Sequence, residues 1–266
     1  MPPLVMGVLN VTPDSFSDGG RYDVPADAIA RGHELVAEGA DWVDVGGEST
    51  RPGATPVDEA EELRRVLPVV EALADAGVKV SIDTRKAAVA RAAVAGGASF
   101  LNDVSASLGD VAADLGVAWA AMHAQGDPQT MQDAPRYDDV VAEVRAHLVL
   151  RAERALAAGV PEVWIDPGIG FGKTTAHNLA LLAHLDELVA TGHPVLVGTS
   201  RKRFLGELLG RSDGADAPTE ADDRLEGSLA TATWALACGA SMVRVHDVRA
   251  ARHAAAVVAG EIGRAA

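Results

Sequence analysis

The chain has 266 residues, 48% of them hydrophobic, which suits one large domain as well as two small ones and allows a sizeable core. Its formal charge of −15 makes the surface repel nucleic acid and anionic lipid, so neither is expected as a main partner. Its one cysteine, Cys238, excludes an intramolecular disulfide and a cysteine-rich zinc site. The apolar start has no basic flank and is not expected to be a signal peptide, and no apolar run could span a bilayer. These features predict a cytoplasmic protein.

Short apolar runs alternate with longer segments along the chain. The runs are near-continuous in Val, Ile, Leu and Ala, as parallel strands buried on both faces should be. Eight strand–helix units favour a (β/α)₈ TIM barrel, formed by residues 1–266 as a single domain, over a doubly wound open sheet. The eight predicted strands are Val5–Val11, Trp42–Gly46, Val78–Ile82, Phe100–Val104, Ala118–Met122, Val163–Ile165, Pro194–Val197 and Met242–Val245.

The segments between the strands are predicted as helices, and five of them are well marked. In the second, Asp58 is a predicted N-cap, Gly77 a stop signal, and Pro68 predicts a kink or a restart. Gln125–Asp138 and Ser212–Ala221 are long connections rich in Gly, Pro and Asp. The five helices are Ala26–Glu38, Glu59–Ala76, Asp139–Ala158, Asp222–Ala237 and Val248–Ile262.

Each predicted strand ends in polar residues, whereas the helix-to-strand connections are short and plain. In a barrel the C-terminal ends of the strands converge, so this rim is the expected active site. The strand-end residues are Asn10, Asp44, Asp83, Asn102, His123, Asp166, Ser200, and Arg244 with His246.

The strand-end groups also differ in charge. Asp83, Asn102 and Asp166 supply acceptors, which suit a flat heterocycle rich in N–H donors. The alternative for each aspartate is that it caps the next helix.

Lys202 and Arg203 could be a solvated helix start, but cations there oppose the helix dipole, which favours a role in binding a ligand. A second group suits phosphate or pyrophosphate, with or without a metal: Asn10, Thr50, Lys202, Arg244 and His246.

The glycine-rich stretch 168–174 is similar to two nucleotide-binding motifs and matches neither. Pro167 stands where a P-loop requires its first glycine, and the spacing GxGxG is not that of a dinucleotide fingerprint. An ATP-binding P-loop is therefore excluded.

Seven sequence blocks, in this order, resemble the dihydropteroate synthase family. The likeness runs from about Met6 to Val258, nearly the whole chain. The blocks are GVLNVTPDSFSDGG (7–20), DVGGESTRPG (44–53), SIDT (81–84), NDVS (102–105), DPGIGFGK (166–173), GTSRKRF (198–204) and RVHD (244–247).

The resemblance implies a homodimeric barrel enzyme of folate biosynthesis that uses Mg²⁺ and is a sulfonamide target. It implies an alkyl-group transferase that condenses 6-hydroxymethyl-7,8-dihydropterin pyrophosphate with 4-aminobenzoate, giving 7,8-dihydropteroate and pyrophosphate by an SN1-like substitution. Its expected partners are these small molecules, without nucleic acid or membrane.

Carried over residue by residue, the resemblance also implies site roles. The pterin set is Asp83, Asn102, Asp166 and Lys202. The pyrophosphate set is Asn10, Thr50, Arg244 and His246, with Asn10 also near Mg²⁺. The 4-aminobenzoate set is Phe16, Ser49, Pro52, Phe171, Gly172 and Ser200. The expected catalytic set is Asp18, Arg51, Lys202, Arg244 and His246.

Two alternatives remain beside the synthase. One is a pterin-dependent methyltransferase acting on a corrinoid, and the other is a catalytically impaired paralogue that binds pterin. Retained Arg51 and Lys202 argue against both. Loops 13–20 and 47–54, flanked by glycines, are expected to close over the substrates and to be open or more mobile without them.

Overall fold

The computed structural model describes residues 3–12, 24–49, 56–126 and 130–260. These residues form a barrel of parallel strands surrounded by helices. The strands are β1 (Leu4–Asn10), β2 (Trp42–Gly46), β3 (Val80–Asp83), β4 (Phe100–Asp103), β5 (Ala118–Met122), β6 (Val163–Asp166), β7 (Leu196–Val197) and β8 (Met242–Val245). The helices are α1 (Val24–Ala37), α2 (Glu59–Asp75), α3 (Ala87–Ala95), α4 (Gly109–Leu115), α5 (Val140–Ala158), α6 (Thr175–Ala183), α7 (Leu185–Val189), α8 (Arg203–Ser212), α9 (Leu225–Ala237) and α10 (Val248–Gly260).

The strand order confirms the barrel over an open doubly wound sheet. The order is β6-β5-β4-β3-β2-β1-β8-β7, and every described pair is parallel. Closure occurs between β6 and β7, where Ile165 bridges Val195 and the Ile165 amide donates to the Pro194 carbonyl at 3.0 Å. That residues 1–266 form a single domain stays a prediction.

The side chains of each strand alternate between the inside and the outside of the barrel. A small inner cluster, which includes Met6, Phe100, Trp164 and Met242, fills the interior below the C-terminal rim. A larger cluster lies between the strands and the helices and contains the intervening strand residues, such as Val43. The apolar runs are near-continuous because both faces of each strand are buried.

Most element boundaries lie close to the predicted ones. Asp58 caps α2 by accepting from the Glu61 amide at 2.8 Å, as predicted. Of the kink or restart predicted at Pro68, the restart is excluded, since α2 continues through it with Val66, Val69 and Val70 buried against the core; the kink stays a prediction. A proline removes one hydrogen bond from a helix, and here the buried face compensates for the loss.

Two strands are shorter at their starts than the sequence predicts. β3 begins at Val80 rather than Val78, and β7 contains only Leu196 and Val197. Val78 and Val195, which precede these two strands, are apolar because they pack against the core in the turns that lead into the strands. Within the described ranges, no helix combines the length and apolar character needed to cross a bilayer.

Candidate active site

Three predicted site residues lie on one row across neighbouring strands. The register pairs Asn10 of β1 with Gly46 of β2, Gly46 with Asp83 of β3, and Asp83 with Asn102 of β4. Their side chains therefore share the inner face at the C-terminal rim. Gly46 carries no side chain, which leaves room between Asn10 and Asp83 above the floor of the barrel.

Arg244 of β8 reaches across this floor to two carboxylates. Its Nε lies 2.6 Å from Asp44 Oδ2, and its Nη2 lies 2.8 Å from Asp83 Oδ2. Burial lowers the pKa of Arg244, but Asp44 and Asp83 more than offset this and raise it, so the guanidinium stays charged. The acceptor and cation groups that the sequence separates thus form one charge cluster in the structure.

Asp83 ionises less readily than an exposed aspartate. Burial raises the pKa of its carboxyl, Arg244 opposes the shift, and the nearby Asp44 carboxylate adds to it. Asp83 does not cap the following helix, because α3 has Lys86 at its N-cap. The helix-cap alternative is therefore excluded for Asp83.

Asn102 is oriented by the same floor carboxylate. Its Nδ2 donates to Asp44 Oδ2 at 2.9 Å. The amide oxygen then accepts no hydrogen bond from any described residue, which leaves it as an acceptor for a ligand.

Asp166 ends β6 on the other side of the floor. It is buried, and its Oδ1 accepts from the Gly168 amide at 2.7 Å within a local turn. Thr174 caps the following helix α6, so the helix-cap alternative is excluded here too. Burial raises the pKa of Asp166, and the Lys202 ammonium is the main opposing influence.

Lys202 is the N-cap residue of α8, and its side chain does not cap the helix. Its Nζ donates to the Ile169 carbonyl and lies 4.6 Å from the centre of the Phe171 ring. Burial lowers the pKa of Lys202 to about 8, while Asp166 opposes this and Arg244 adds to it. Lys202 is thus a desolvated cation facing Asp166, at the junction where the sequence predicts a ligand-binding lysine.

Ser200 and His246 connect the last two strand ends. The Ser200 hydroxyl lies 3.0 Å from His246 Nδ1 and accepts from the His246 backbone amide at 3.1 Å. Beside them, Arg201 pairs with Asp247 at 2.8 Å in a left-handed conformation, φ 59°. The ion pair and the hydroxyl together hold the β7 and β8 loops against each other.

The glycine-rich loop after β6 is organised by a buried lysine that sequence reasoning missed. Lys173 Nζ lies 2.9 Å from His123 Nδ1 and 3.0 Å from each of the Gly168 and Phe171 carbonyls. Burial, and then the charge of Lys173, lower the pKa of His123 to about 3, so its ring is neutral and Nδ1 can accept. The sequence feature that could have predicted this role is a lysine at the end of a glycine-rich loop, whose backbone carbonyls need a hydrogen-bond donor.

Two glycines of this loop are required by close contacts. A Cβ on Gly168 would lie 1.8 Å from the His123 carbonyl oxygen, and one on Gly172 would lie 2.3 Å from the Gln125 oxygen. Both have φ of 62°, which favours glycine. Position 172 therefore requires glycine for structural reasons, whether or not it also belongs to the predicted 4-aminobenzoate set.

A second missed cluster joins the described residues on either side of the loop that follows β2. Lys86 Nζ is hydrogen-bonded to Glu48 and Glu62, and Arg85 lies 3.1 Å from Glu48. Glu48 also accepts from the Val57 amide at 3.1 Å, on the far side of the loop. The cluster therefore holds both described ends of this loop, and the neighbouring Ser49 is half-buried.

Part of the predicted site lies outside the described residues. Phe16, Asp18, Thr50, Arg51 and Pro52 are in this group, as are most of the two loops expected to close.

A magnesium ion at Asn10 would take few protein ligands. Among the described residues there is no group of three or more His, Cys, Asp or Glu arranged to hold a metal. Asn10 supplies a single amide oxygen at the rim. Since Mg²⁺ commonly keeps several waters and binds substrate phosphates, this donor fits an ion held chiefly by pyrophosphate.

The fold and this floor of carboxylate, amide and cation groups define a barrel enzyme that binds a polar heterocycle. Residues 6–246 match the family model described as pterin binding enzyme. A dihydropteroate synthase of Mycobacterium leprae is 54% identical over 265 residues, covering 97% of this chain and 93% of the relative.

Two solved structures agree with that match. Xanthomonas albilineans dihydropteroate synthase with 4-aminobenzoic acid has a TM-score of 0.90 and 49% identity, covering 100% of this chain and 94% of the other. The same enzyme in complex with 7,8-dihydropteroate has a TM-score of 0.86 and 46% identity, covering 100% and 95%. The chain belongs to the dihydropteroate synthase family.

Proposed function

We propose that this protein joins 6-hydroxymethyl-7,8-dihydropterin pyrophosphate to 4-aminobenzoate, releasing 7,8-dihydropteroate and pyrophosphate. The observation that carries the proposal is the floor of the barrel, where Asp83, Asn102 and Asp166 present acceptors beside Lys202 and Arg244. A reduced pterin offers a ring of N–H donors and a carbonyl, and this set complements both kinds of group.

The pterin is held by acceptors that are already oriented. The Asn102 amide oxygen and the second oxygen of Asp166 face the heterocycle, because their partner atoms are engaged by Asp44 and by the Gly168 amide. The Lys202 ammonium leaves the Ile169 carbonyl to donate to the ligand. Fixed polar groups of this kind bind with little reorganisation.

The departing pyrophosphate is held by cationic and polar groups of the β1, β7 and β8 ends. Arg244 and His246 stabilise the negative charge that grows as the C–O bond breaks and its electron pair goes to pyrophosphate. Ser200 orients His246 through their hydrogen bond. Asn10 would hold Mg²⁺, which when bound supplies further charge neutralisation at the pyrophosphate.

The carbon–nitrogen bond forms after ionisation, in an SN1-like sequence. The pterin-methyl cation is stabilised by nearby carboxylates, among which we include Asp18. The neutral amine of 4-aminobenzoate, bound beside Phe171, Gly172 and Ser200, attacks the cation and then loses a proton. Phe16, Ser49, Arg51 and Pro52 would come from the closing loops, which exclude water from the cation.

The direct test is pyrophosphate release. Purified protein with both substrates and Mg²⁺ is expected to release one pyrophosphate for each dihydropteroate formed, and a chelator is expected to stop the reaction. A sulfonamide, which carries the same aniline group, is expected to compete with 4-aminobenzoate. Pterin binding without pyrophosphate release would favour the impaired paralogue, and methyl transfer to a corrinoid would favour the methyltransferase.

We also propose that the protein is a cytoplasmic homodimer. On α9, Trp234 is 52% exposed and lies on one face of the helix with Leu229, Ala230 and Ala237. Side chains this large and apolar on one helix face favour a covered surface. Sedimentation velocity of the purified protein distinguishes a dimer from a monomer.

The rate should depend on pH through Lys202. Its ammonium form donates to the pterin below a pKa of about 8, so kcat/KM for the pterin substrate should fall as pH rises through about 8. The basic limb of kcat should lie at higher pH, because bound pyrophosphate favours the charged form. Initial rates across the basic range measure both limbs. A kcat/KM that stays level from about pH 7 to about pH 10 would contradict the assignment.

A further inference from the structure

One buried carboxylate of the floor, Asp44, has no place in the substrate sets. It lies on β2, one inward-facing position before Gly46, and it is completely buried. Its Oδ2 accepts from two site residues at once, from Arg244 Nε at 2.6 Å and from Asn102 Nδ2 at 2.9 Å. Asp44 therefore lies behind the groups that face the ligand.

These two contacts decide which atoms the site presents. The Asn102 amide can turn its oxygen to the ligand because its nitrogen is engaged by Asp44. Arg244 uses Nε for Asp44 and Nη2 for Asp83, which leaves Nη1 without a hydrogen bond to a described residue. Without Asp44, the amide could flip and the guanidinium would keep a single carboxylate partner.

Asp44 also lowers the stability of the folded protein. Its Oδ1 is buried and has no partner within the described chain, and the same holds for the hydroxyl of Ser81, its register neighbour on β3. A buried carboxylate with an unsatisfied oxygen destabilises a protein, whereas the layer below is filled by apolar side chains such as Phe100 and Trp164. Folding alone gives no reason for a charge at this position.

The charge of Asp44 acts on a third site residue. Asp83 shares Arg244 with Asp44, and repulsion between the two carboxylates helps to raise the pKa of Asp83. The other charged groups that act on the pKa of Asp83 are Arg244 and Lys202, which oppose the shift, and Glu62 and Asp103, which add to it. Removal of the Asp44 charge therefore makes Asp83 more acidic.

We propose that Asp44 is a positioning residue of the active site, which holds Asn102 and Arg244 in the orientation that receives the pterin and its pyrophosphate group without touching the substrate itself. The inference rests on the proposed function, since it presumes that the floor binds pterin.

The test compares Asp44→Asn with Ser81→Ala. The first change removes the charge and keeps the shape, and the second alters the neighbouring buried position, whose hydroxyl has no described partner. In Asp44→Asn the affinity for 6-hydroxymethylpterin, measured by calorimetry, should fall about tenfold or more, with KM for the pterin substrate rising in parallel. KM for 4-aminobenzoate should change by less than about twofold, and Ser81→Ala should resemble the wild type throughout.

The pH profile provides a readout that a merely structural role would not move. Pterin binding weakens at low pH as the floor carboxylates take up protons, and this acid limb should lie at lower pH in Asp44→Asn because Asp83 becomes more acidic. An Asp44→Asn protein with wild-type pterin affinity and an unshifted acid limb would overturn the inference. A wild-type protein that neither binds pterin nor releases pyrophosphate would instead refute the proposed function.

A second measurement applies if Asp44→Asn does not fold. In the wild-type protein, NMR of the Asn102 side-chain amide and of Arg244 Nε–H should show slow solvent exchange and a single orientation before any ligand is added. Rapid exchange of both groups in the free protein would overturn the inference, because Asp44 would then hold neither.

Discussion

Replacing Lys202 with alanine is expected to lower kcat/KM for the pterin substrate by about 100- to 1000-fold and to leave the barrel folded. Lys202 is a desolvated cation whose Nζ contacts the Ile169 carbonyl and the face of Phe171. Its positive charge favours the ionised form of Asp166. Without it the pterin loses a charged donor, and Asp166 loses the cation that favours its ionised form. Steady-state kinetics of the purified variant measures the effect.

The neighbouring residue provides a matched control for Lys202. Arg203 is also a cation at the start of α8, but its side chain is 75% exposed and pairs with Glu207 within the helix. Arg203→Ala should retain wild-type kinetics, and the melting temperatures of both variants should remain close to that of the wild type. Unaltered turnover in Lys202→Ala would reject its role in the site.

Replacing Asp166 with asparagine is expected to weaken pterin binding by about 10- to 100-fold, which corresponds to roughly 1–3 kcal/mol for a mismatched buried hydrogen bond. The change is conservative for the fold, because an asparagine oxygen can still accept from the Gly168 amide. The second oxygen becomes an NH₂ group, which meets an N–H donor of the pterin instead of accepting from it. Calorimetry with a pterin ligand and with 4-aminobenzoate should show the loss for pterin alone.

Asp103 serves as the control for Asp166, because it is also a buried aspartate at the end of a strand. It faces outward and accepts from the Ser107 and Leu108 amides and from Trp119 Nε1. Asp103→Asn should therefore lower the melting temperature without a selective loss of pterin affinity. If Asp166→Asn bound pterin as tightly as the wild type, Asp166 would have only a structural role in its turn.

The sequence predicts the architecture and the rim of the site because both follow from local patterns. Buried parallel strands give apolar runs, and strand-end residues such as Asp83 and Asp166 stand beside those runs in the chain. It does not predict which polar groups meet. Asp44 and Arg244 are 200 positions apart, and their contact depends on β2 and β8 lying on either side of β1 in the closed barrel. A strand-end aspartate therefore gives no sign of whether it faces a ligand or supports another residue.

The glycine-rich loop presents a different limit. Its composition is similar to that of a phosphate-binding loop, but Lys173 points inward to the Gly168 and Phe171 carbonyls of the loop and to His123. Gly168 is glycine because the His123 carbonyl lies against it. Both facts depend on the packing of the β5 and β6 ends, which no local pattern encodes.

The β6–β7 junction is the weakest part of the ring of strands. β7 is two residues long, and on its β6 side a single described bridge, Ile165 to Val195, closes the circle. Local opening of a protein begins where few backbone hydrogen bonds must break. Asp166 and Lys202 lie on opposite sides of this seam, so a pterin bound to both spans it. Substrate binding would thus link the β6 and β7 ends of the barrel and oppose local opening between these two strands.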